Sequence, residues 1–234
     1  MSCSETKDVT SSVEKWYDFD DAETRLLRRS WKTMQTEKQT IACNIYRMIF
    51  DQCPEARQLF SFMHSDLNSC KKKSNEFIFQ ALRFIQVLES GVNSLDDLEA
   101  FDPILDNLGR RHGKLESSIG FRRYYWSVFL ECSIYHIRLA LLNSKVDRWN
   151  TTDVDNVIIL WRYLISGICE RIKRGYLADI ANRSMLTART SPKMKLLSVL
   201  PPIPKAAGSS VNVARIPLYY QFTRWLFSRG HRDE

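Results

Sequence analysis

The sequence predicts an all-α protein, because its composition and its apolar spacing both favour helices. Its 234 residues include only 8 Gly and 7 Pro, against 12 Phe, 6 Trp and 9 Tyr. This composition disfavours both a disordered chain and a turn-rich β-sandwich. Apolar residues recur at steps of three and four along six segments, which is the spacing of one helix face. No segment shows a competing strand pattern.

Composition also excludes several classes of protein. The chain is 44% hydrophobic and 26% charged, as ordinary globular proteins are. The longest uninterrupted apolar run is Val157–Trp161, which is far too short for a membrane span. The N-terminus has neither the apolar region of a signal peptide nor a myristoylation site, so we expect a cytoplasmic protein. Six irregularly spaced cysteines indicate neither a zinc cluster nor a disulfide framework.

The net charge of +7 lies entirely in the C-terminal part of the chain. Residues 181–234 hold nine basic and two acidic residues, whereas residues 1–180 hold 25 of each sign. We therefore predict three parts: a mobile polar arm over residues 1–20, a helical domain over residues 21–180 and a basic extension over residues 181–234. Within the extension, a short amphipathic element over residues 218–229 follows a segment rich in Pro, Gly and Ser, which is typical of a linker.

The first three helices are predicted over residues 21–37, 38–53 and 74–93. Acidic residues begin the first helix, where the helix dipole favours them, and Pro54 follows the end of the second. Residues 61–73 are predicted to form a polar loop. The third helix has one continuous apolar face, formed by Phe77, Ala81, Phe84, Leu88 and Val92. Gln80 lies directly beside this face.

Three further helices complete the predicted domain. The fourth follows a cap at Asp96 or Asp97, the fifth covers residues 119–143, and the sixth runs from a threonine cap at residues 151–152 to about Leu177. The buried stripe of the fourth helix consists of Phe101, Leu105, Leu108, His112 and Leu115. A histidine therefore occupies a core position.

His112 alone does not indicate a ligand, since a histidine on an apolar stripe is more often a satisfied core residue. The order of the surrounding motifs is more specific: Trp31 in the first helix, Pro54–Phe60, the third helix, and then the run Leu-Gly-Arg-Arg-His that ends at His112. In order and spacing these segments resemble the globin family. The run, and the 32 residues that separate Gln80 from His112, resemble neuroglobin-like and nematode intracellular globins more than vertebrate muscle globin.

The resemblance covers residues 21–180 and implies a globin fold of seven to eight helices in a 3-over-3 arrangement, with one haem b (iron protoporphyrin IX). His112 matches the proximal histidine that ligates iron. Gln80 falls where most globins have the distal histidine, and Tyr46 matches the distal-pocket residue of the second helix. Each also has a simpler interpretation, because Tyr46 could be a core tyrosine and Gln80 could face solvent.

The resemblance also implies that Phe60, Phe84 and Leu108 line the haem. Aromatic residues at helical spacing would pack a core equally well without a cofactor. Arg83 is a candidate contact for a haem propionate, with a solvated arginine as the alternative. Cys53 and Cys70 flank the turn and loop before the third helix, so a redox-sensitive disulfide between them is a further hypothesis.

A glutamine amide is a poor iron ligand and a good hydrogen-bond donor. The sequence therefore predicts a five-coordinate ferrous haem that reversibly binds dioxygen or another diatomic gas, with Gln80 and Tyr46 as donors. Oxygen storage or scavenging is the first functional class. The alternatives are a redox or gas sensor that signals through the basic tail, and a nitric oxide dioxygenase or peroxidase; no catalytic residue is predicted.

The basic extension allows two interpretations. Residues 218–229 could lie in the interface of an anionic membrane, or they could pack on the globin surface or form a disordered appendage. The tail could also bind a protein partner, whereas nucleic-acid binding is not expected because no motif supports it. The sequence does not define the oligomeric state.

Overall fold

A computed structural model describes residues 15–63 and 70–197 of the chain. The regular secondary structure of this part is all helical, which confirms the predicted fold class. Short 3₁₀ helices, Gln35–Glu37, Pro54–Leu59, Ser61–Met63 and Glu99–Phe101, join its longer elements. Six α-helices are described: α1 (Asp21–Met34), α2 (Lys38–Gln52), α3 (Cys70–Asn93), α4 (Asp102–Ile119), α5 (Tyr125–Leu142) and α6 (Thr151–Leu197).

Several helix boundaries differ from the prediction, and α4 begins at Asp102, after a 3₁₀ turn, instead of directly after a cap at Asp96 or Asp97. Helix α3 begins at Cys70, four residues before the predicted start, and α5 begins at Tyr125 instead of residue 119. The later start of α5 arises because Gly120 adopts a left-handed conformation, with φ of 77°, and caps α4. The number of helices also differs. The described part holds six α-helices, whereas the resemblance implies seven to eight.

Helix α6 is much longer than predicted. It continues for twenty residues beyond Leu177, the predicted end. No glycine or proline interrupts residues 178–191, and an ion pair one helical turn apart, Arg183 with Asp179, supports the continuation. The predicted basic extension therefore begins inside a helix. The division of the chain into two units falls between Thr190 and Ser191. The amphipathic element predicted over residues 218–229 lies outside the described residues.

The core is built around Trp161 of α6, which is fully buried. Its indole Nε1 donates a hydrogen bond to the Ser30 hydroxyl at 2.8 Å, and this hydroxyl donates to the Leu27 carbonyl of α1 at 2.7 Å. The indole is therefore buried without an unsatisfied donor. Helix α2 packs against both α3 and α5. None of the described helices combines the length and the apolar character needed to cross a bilayer.

The last residues of the predicted mobile arm pack onto the helical domain. Trp16 is buried, and its indole Nε1 donates to the Asp102 carboxylate at 2.9 Å. The guanidinium of Arg171 lies 3.6 Å from the Trp16 ring centroid. The absence of a side chain at Gly167 leaves room for the ring, because a Cβ there would approach it to 2.5 Å. Residues 15–20 are therefore an ordered part of the domain, in contrast to the prediction for residues 1–20.

Candidate functional site

His112 lies on the inner side of α4, and one of its two ring nitrogens has a defined partner. The Nδ1 atom is 2.8 Å from the carbonyl oxygen of Leu108, one helical turn earlier. Because a carbonyl can only accept, Nδ1 carries the hydrogen and Nε2 keeps its lone pair. Burial lowers the pKa of His112, and the bond to Leu108 only partly offsets this effect. The side chain is therefore a neutral imidazole of fixed orientation, which is the form that binds a metal.

Aromatic rings hold the imidazole from the side of α5. The ring centroid of His112 is 5.3 Å from that of Phe121 and 5.0 Å from that of Trp126, in edge-to-face geometry. Both aromatic residues are buried. These contacts cover part of the imidazole and restrict the rotation of its ring. The sequence prediction does not include Trp126 as a site residue.

Gln80 and Tyr46, the two predicted distal donors, lie on different helices and contact each other; we call them the distal pair. Gln80 of α3 donates from Nε2 to the hydroxyl of Tyr46 of α2, at 3.4 Å. Burial raises the pKa of Tyr46, and the Gln80 bond and the charge of Arg83 counteract this rise only in part. Tyr46 therefore stays a protonated phenol that can donate a hydrogen bond. The alternative that Gln80 simply faces solvent does not hold, since its side chain reaches this buried hydroxyl.

An aromatic cluster surrounds Tyr46. The predicted lining residues Phe60 and Phe84 both belong to it, and Phe84 extends it to Phe129 of α5 at 4.5 Å between centroids. Phe129 was also missed by the sequence prediction, although the aromatic-rich segment that follows His112 was a signal for it. Four rings have centroids 5.8 to 6.4 Å from the Tyr46 centroid: Phe50, Phe60, Phe77 and Phe84.

Leu108 and Arg83 have defined positions beside the site. Leu108 is partly buried, and its carbonyl is the acceptor that orients His112. Arg83 is buried on α3, with its guanidinium 4.4 Å from the ring centroid of Phe79. The alternative of a solvated Arg83 is therefore wrong. A contact between Arg83 and a haem propionate stays a prediction.

The donor set fits a haem. Among the described residues, no group of three or more His, Cys, Asp and Glu side chains is placed to hold a metal ion. A closed zinc site needs four such ligands, whereas haem iron needs a single protein nitrogen, because the porphyrin supplies the other four. The Nε2 atom of His112 meets that need. Phe60, Phe84 and Leu108 belong to the apolar core or pack against it, so a haem lined by them stays a prediction.

The predicted disulfide between Cys53 and Cys70 also stays a hypothesis. Cys53 has a buried free thiol, and the side chain of Cys70 lies outside the described part.

A model of the Globin family matches residues 43–150. This region includes Tyr46, Gln80 and His112, together with all of α3 and α4 and most of α2. Over this region, which is just under half of the chain, the sequence matches the globin family. The predicted resemblance is thereby confirmed, and it supports haem binding at the site described above.

The chain is similar to a nematode globin-related protein and to fish neuroglobins. It is 26% identical over 152 residues to the globin-related protein glb-13 of Caenorhabditis elegans, covering 64% of this chain and 50% of that protein. It is 24% identical over 161 residues to the neuroglobin of Danio rerio, covering 68% of this chain and 93% of that protein. The match thus spans half the length of the nematode protein and most of the fish protein.

A solved structure shares the fold. The crystal structure of a hexacoordinated heme protein from an anhydrobiotic tardigrade, at pH 4, superposes with a TM-score of 0.55 and 20% sequence identity. The match covers 68% of this chain and 95% of the tardigrade chain. At this identity the likeness concerns the fold of the backbone.

Proposed function

We propose that this protein binds one haem b through Nε2 of His112 and reversibly binds dioxygen, as an oxygen-storage or oxygen-scavenging protein. The observation that carries the proposal is the hydrogen bond from His112 to the Leu108 carbonyl, which leaves Nε2 as a neutral donor atom. Haem supplies the iron at which a diatomic gas binds. The chain supplies the orientation of the imidazole, the apolar walls and the distal donors.

The distal pair favours gas binding over ligation by the protein itself. A glutamine amide binds iron poorly, so with Gln80 on the distal side no side chain of the pair would ligate the iron, and the ferrous haem would be free to bind a gas. Its bond to Tyr46 is long, at 3.4 Å, and therefore weak enough for both groups to turn towards a ligand. Each donor contributes roughly 1 kcal/mol to a bound polar ligand, so the pair slows oxygen release by an order of magnitude or more.

The test is an absorption spectrum of the purified full chain in its ferric, deoxygenated ferrous and oxygenated forms. We expect a five-coordinate spectrum for the deoxygenated protein and a long-lived oxygenated spectrum. A short-lived oxygenated form that oxidises rapidly would favour the sensor, and turnover with an electron donor would favour the enzyme.

A variant series tests the ligand itself. His112→Gly should lose the haem, and added imidazole should restore it by filling the space that the side chain leaves. His136→Gly is the matched control, because His136 is a half-buried histidine on α5 whose pKa burial also lowers. Retention of an unchanged haem spectrum by His112→Gly would contradict the proposal.

A further inference from the structure

One exposed face of the domain repeats the same residue pattern on two adjacent helices. Each helix has an acidic, an apolar and a basic residue at positions i, i+4 and i+7, which place all three on one side. We call these six residues the α5–α6 face: Glu131, Tyr135 and Arg138 on α5, and Asp155, Ile159 and Arg162 on α6.

Two ion pairs link the helices across this face. Arg162 forms two hydrogen bonds with the Glu131 carboxylate, at 2.6 and 2.9 Å, and Arg138 pairs with Asp155. Because α5 and α6 run in opposite directions here, the four charges lie at the corners of a quadrilateral. Their signs alternate around it: each acid has one arginine across the helix pair and another two helical turns along its own helix, about 10 Å away.

The centre of the face is apolar and accessible. Tyr135 and Ile159 lie between the two ion pairs and are 51% and 52% exposed. The same helices expose Leu139, Leu142 and Tyr163, so the apolar surface extends beyond the centre. Large apolar side chains grouped in this way mark interaction surfaces, and a tyrosine at the centre is typical of them.

We propose that the α5–α6 face binds a second copy of this chain in a two-fold symmetric dimer. Two copies of a face with alternating corner charges can be placed face to face across a two-fold axis that lies in the plane of the interface. Each corner then meets a corner of opposite charge. With the axis parallel to the helices, Glu131 faces Arg162 of the second copy. With the axis perpendicular to them, Glu131 faces Arg138 of the second copy. Every acid meets an arginine in both arrangements, while the apolar centres meet each other.

The charge pattern also argues against other occupants. A membrane surface or a nucleic acid has charge of a single sign, and would repel half of the corners of this face. A second copy is the partner that the alternating pattern fits at all four corners. In such a dimer the second copy would cover the apolar centre of the face, so Tyr135 and Ile159 would be shielded from water.

The experiment is sedimentation equilibrium of the full haem-loaded chain over micromolar to submillimolar concentrations. We expect a monomer–dimer equilibrium. Ile159→Glu should raise the dimer dissociation constant at least about tenfold, because a two-fold interface contains each substitution twice. The matched control is Ile104→Glu on α4, whose side chain is similarly exposed and lies outside the face. A monomer at all concentrations, or a dimer that Ile159→Glu leaves unchanged, overturns the proposal.

A charge exchange tests the electrostatic part separately. Glu131→Arg places like charges together in either arrangement, so an unchanged dissociation constant for it overturns the proposal. The double variant Glu131→Arg with Arg162→Glu restores the ion pair within each chain. This double variant should still dimerise if the two-fold axis is parallel to the helices. It should be monomeric if the axis is perpendicular to them. Circular dichroism and the haem spectrum of each variant verify that its domain is folded.

Discussion

The backbone of Gly109 lies directly against the carbonyl group of Ile172. A Cβ added at Gly109 would stand 2.9 Å from the Ile172 carbonyl carbon and closer still to its oxygen. Gly175 makes the reciprocal contact with the carbonyl of Asp106. Helices α4 and α6 therefore touch through their backbones, one turn before His112. This contact fixes the position from which His112 projects.

Gly109→Ala should destabilise the protein strongly, because the added methyl group overlaps with backbone that cannot turn aside. We expect a loss of about 3 kcal/mol in the free energy of unfolding, at the upper end of overpacking effects. Haem affinity should fall as well, since the helices must separate near His112. Urea denaturation of the haem-loaded and haem-free forms measures both effects.

Gly91→Ala is the control for this substitution. A Cβ at Gly91 would meet the Cδ1 atom of Ile168 at 3.0 Å, which is the flexible end of a side chain. Alanine favours a helix interior over glycine by about 1 kcal/mol. Stability should therefore change little or rise. Equal losses for the two variants would show that the backbone contact at Gly109 has no special role.

Tyr46→Phe should accelerate oxygen dissociation about fivefold, because it removes one donor of roughly 1 kcal/mol while keeping the ring in its aromatic cluster. Gln80→Leu should act in the same direction. The double variant should deviate from additivity, since the two side chains bond to each other. Stopped-flow oxygen displacement gives the rates, with the exposed Tyr163→Phe as control. An unchanged dissociation rate for Tyr46→Phe would show that the Tyr46 hydroxyl does not donate a hydrogen bond to bound oxygen.

Periodicity predicts the buried face of α3 better than it predicts the ends of the helices. The apolar face of α3, from Phe77 to Val92, follows directly from the sequence. The end of α6 does not, because Tyr176 is the last buried residue among the described side chains of this helix, whereas the helix continues to Leu197. The start of α5 was also misplaced, since the conformation of Gly120 is set by local geometry and has no periodic signal.

The site was predictable where its residues occur in a recognisable order along the chain, as Tyr46, Gln80 and His112 do. Contacts between distant segments were not. Phe84 and Phe129 touch across 45 residues, and nothing in either segment alone specifies the other. Trp16 is a stronger case, because its polar surroundings in the sequence suggested a mobile arm.

Trp16→Ala should lower the free energy of unfolding by about 3 kcal/mol. It removes a buried ring, the hydrogen bond to Asp102 and the stacking of Arg171, and leaves a cavity above Gly167. Tyr17→Ala is the control, since Tyr17 is exposed and its main contact is a stacked ring, which contributes roughly 1 kcal/mol. Thermal denaturation compares the two, and a Trp16→Ala protein as stable as the Tyr17→Ala protein would contradict the packing of residues 15–20.

Two buried thiols should resist alkylation as long as the domain is folded. Burial raises the pKa of Cys132 to about 11 and that of Cys169 to about 12. A thiol needs its thiolate to react, and at pH 8 about one in a thousand or fewer of these groups is ionised. Peptide mapping after iodoacetamide treatment should find both unmodified in the native protein and fully modified in guanidinium chloride, where their pKa returns to its ordinary value. Rapid native labelling of Cys169 would show that α6 opens at this position, and its dependence on denaturant concentration would distinguish local opening from global unfolding.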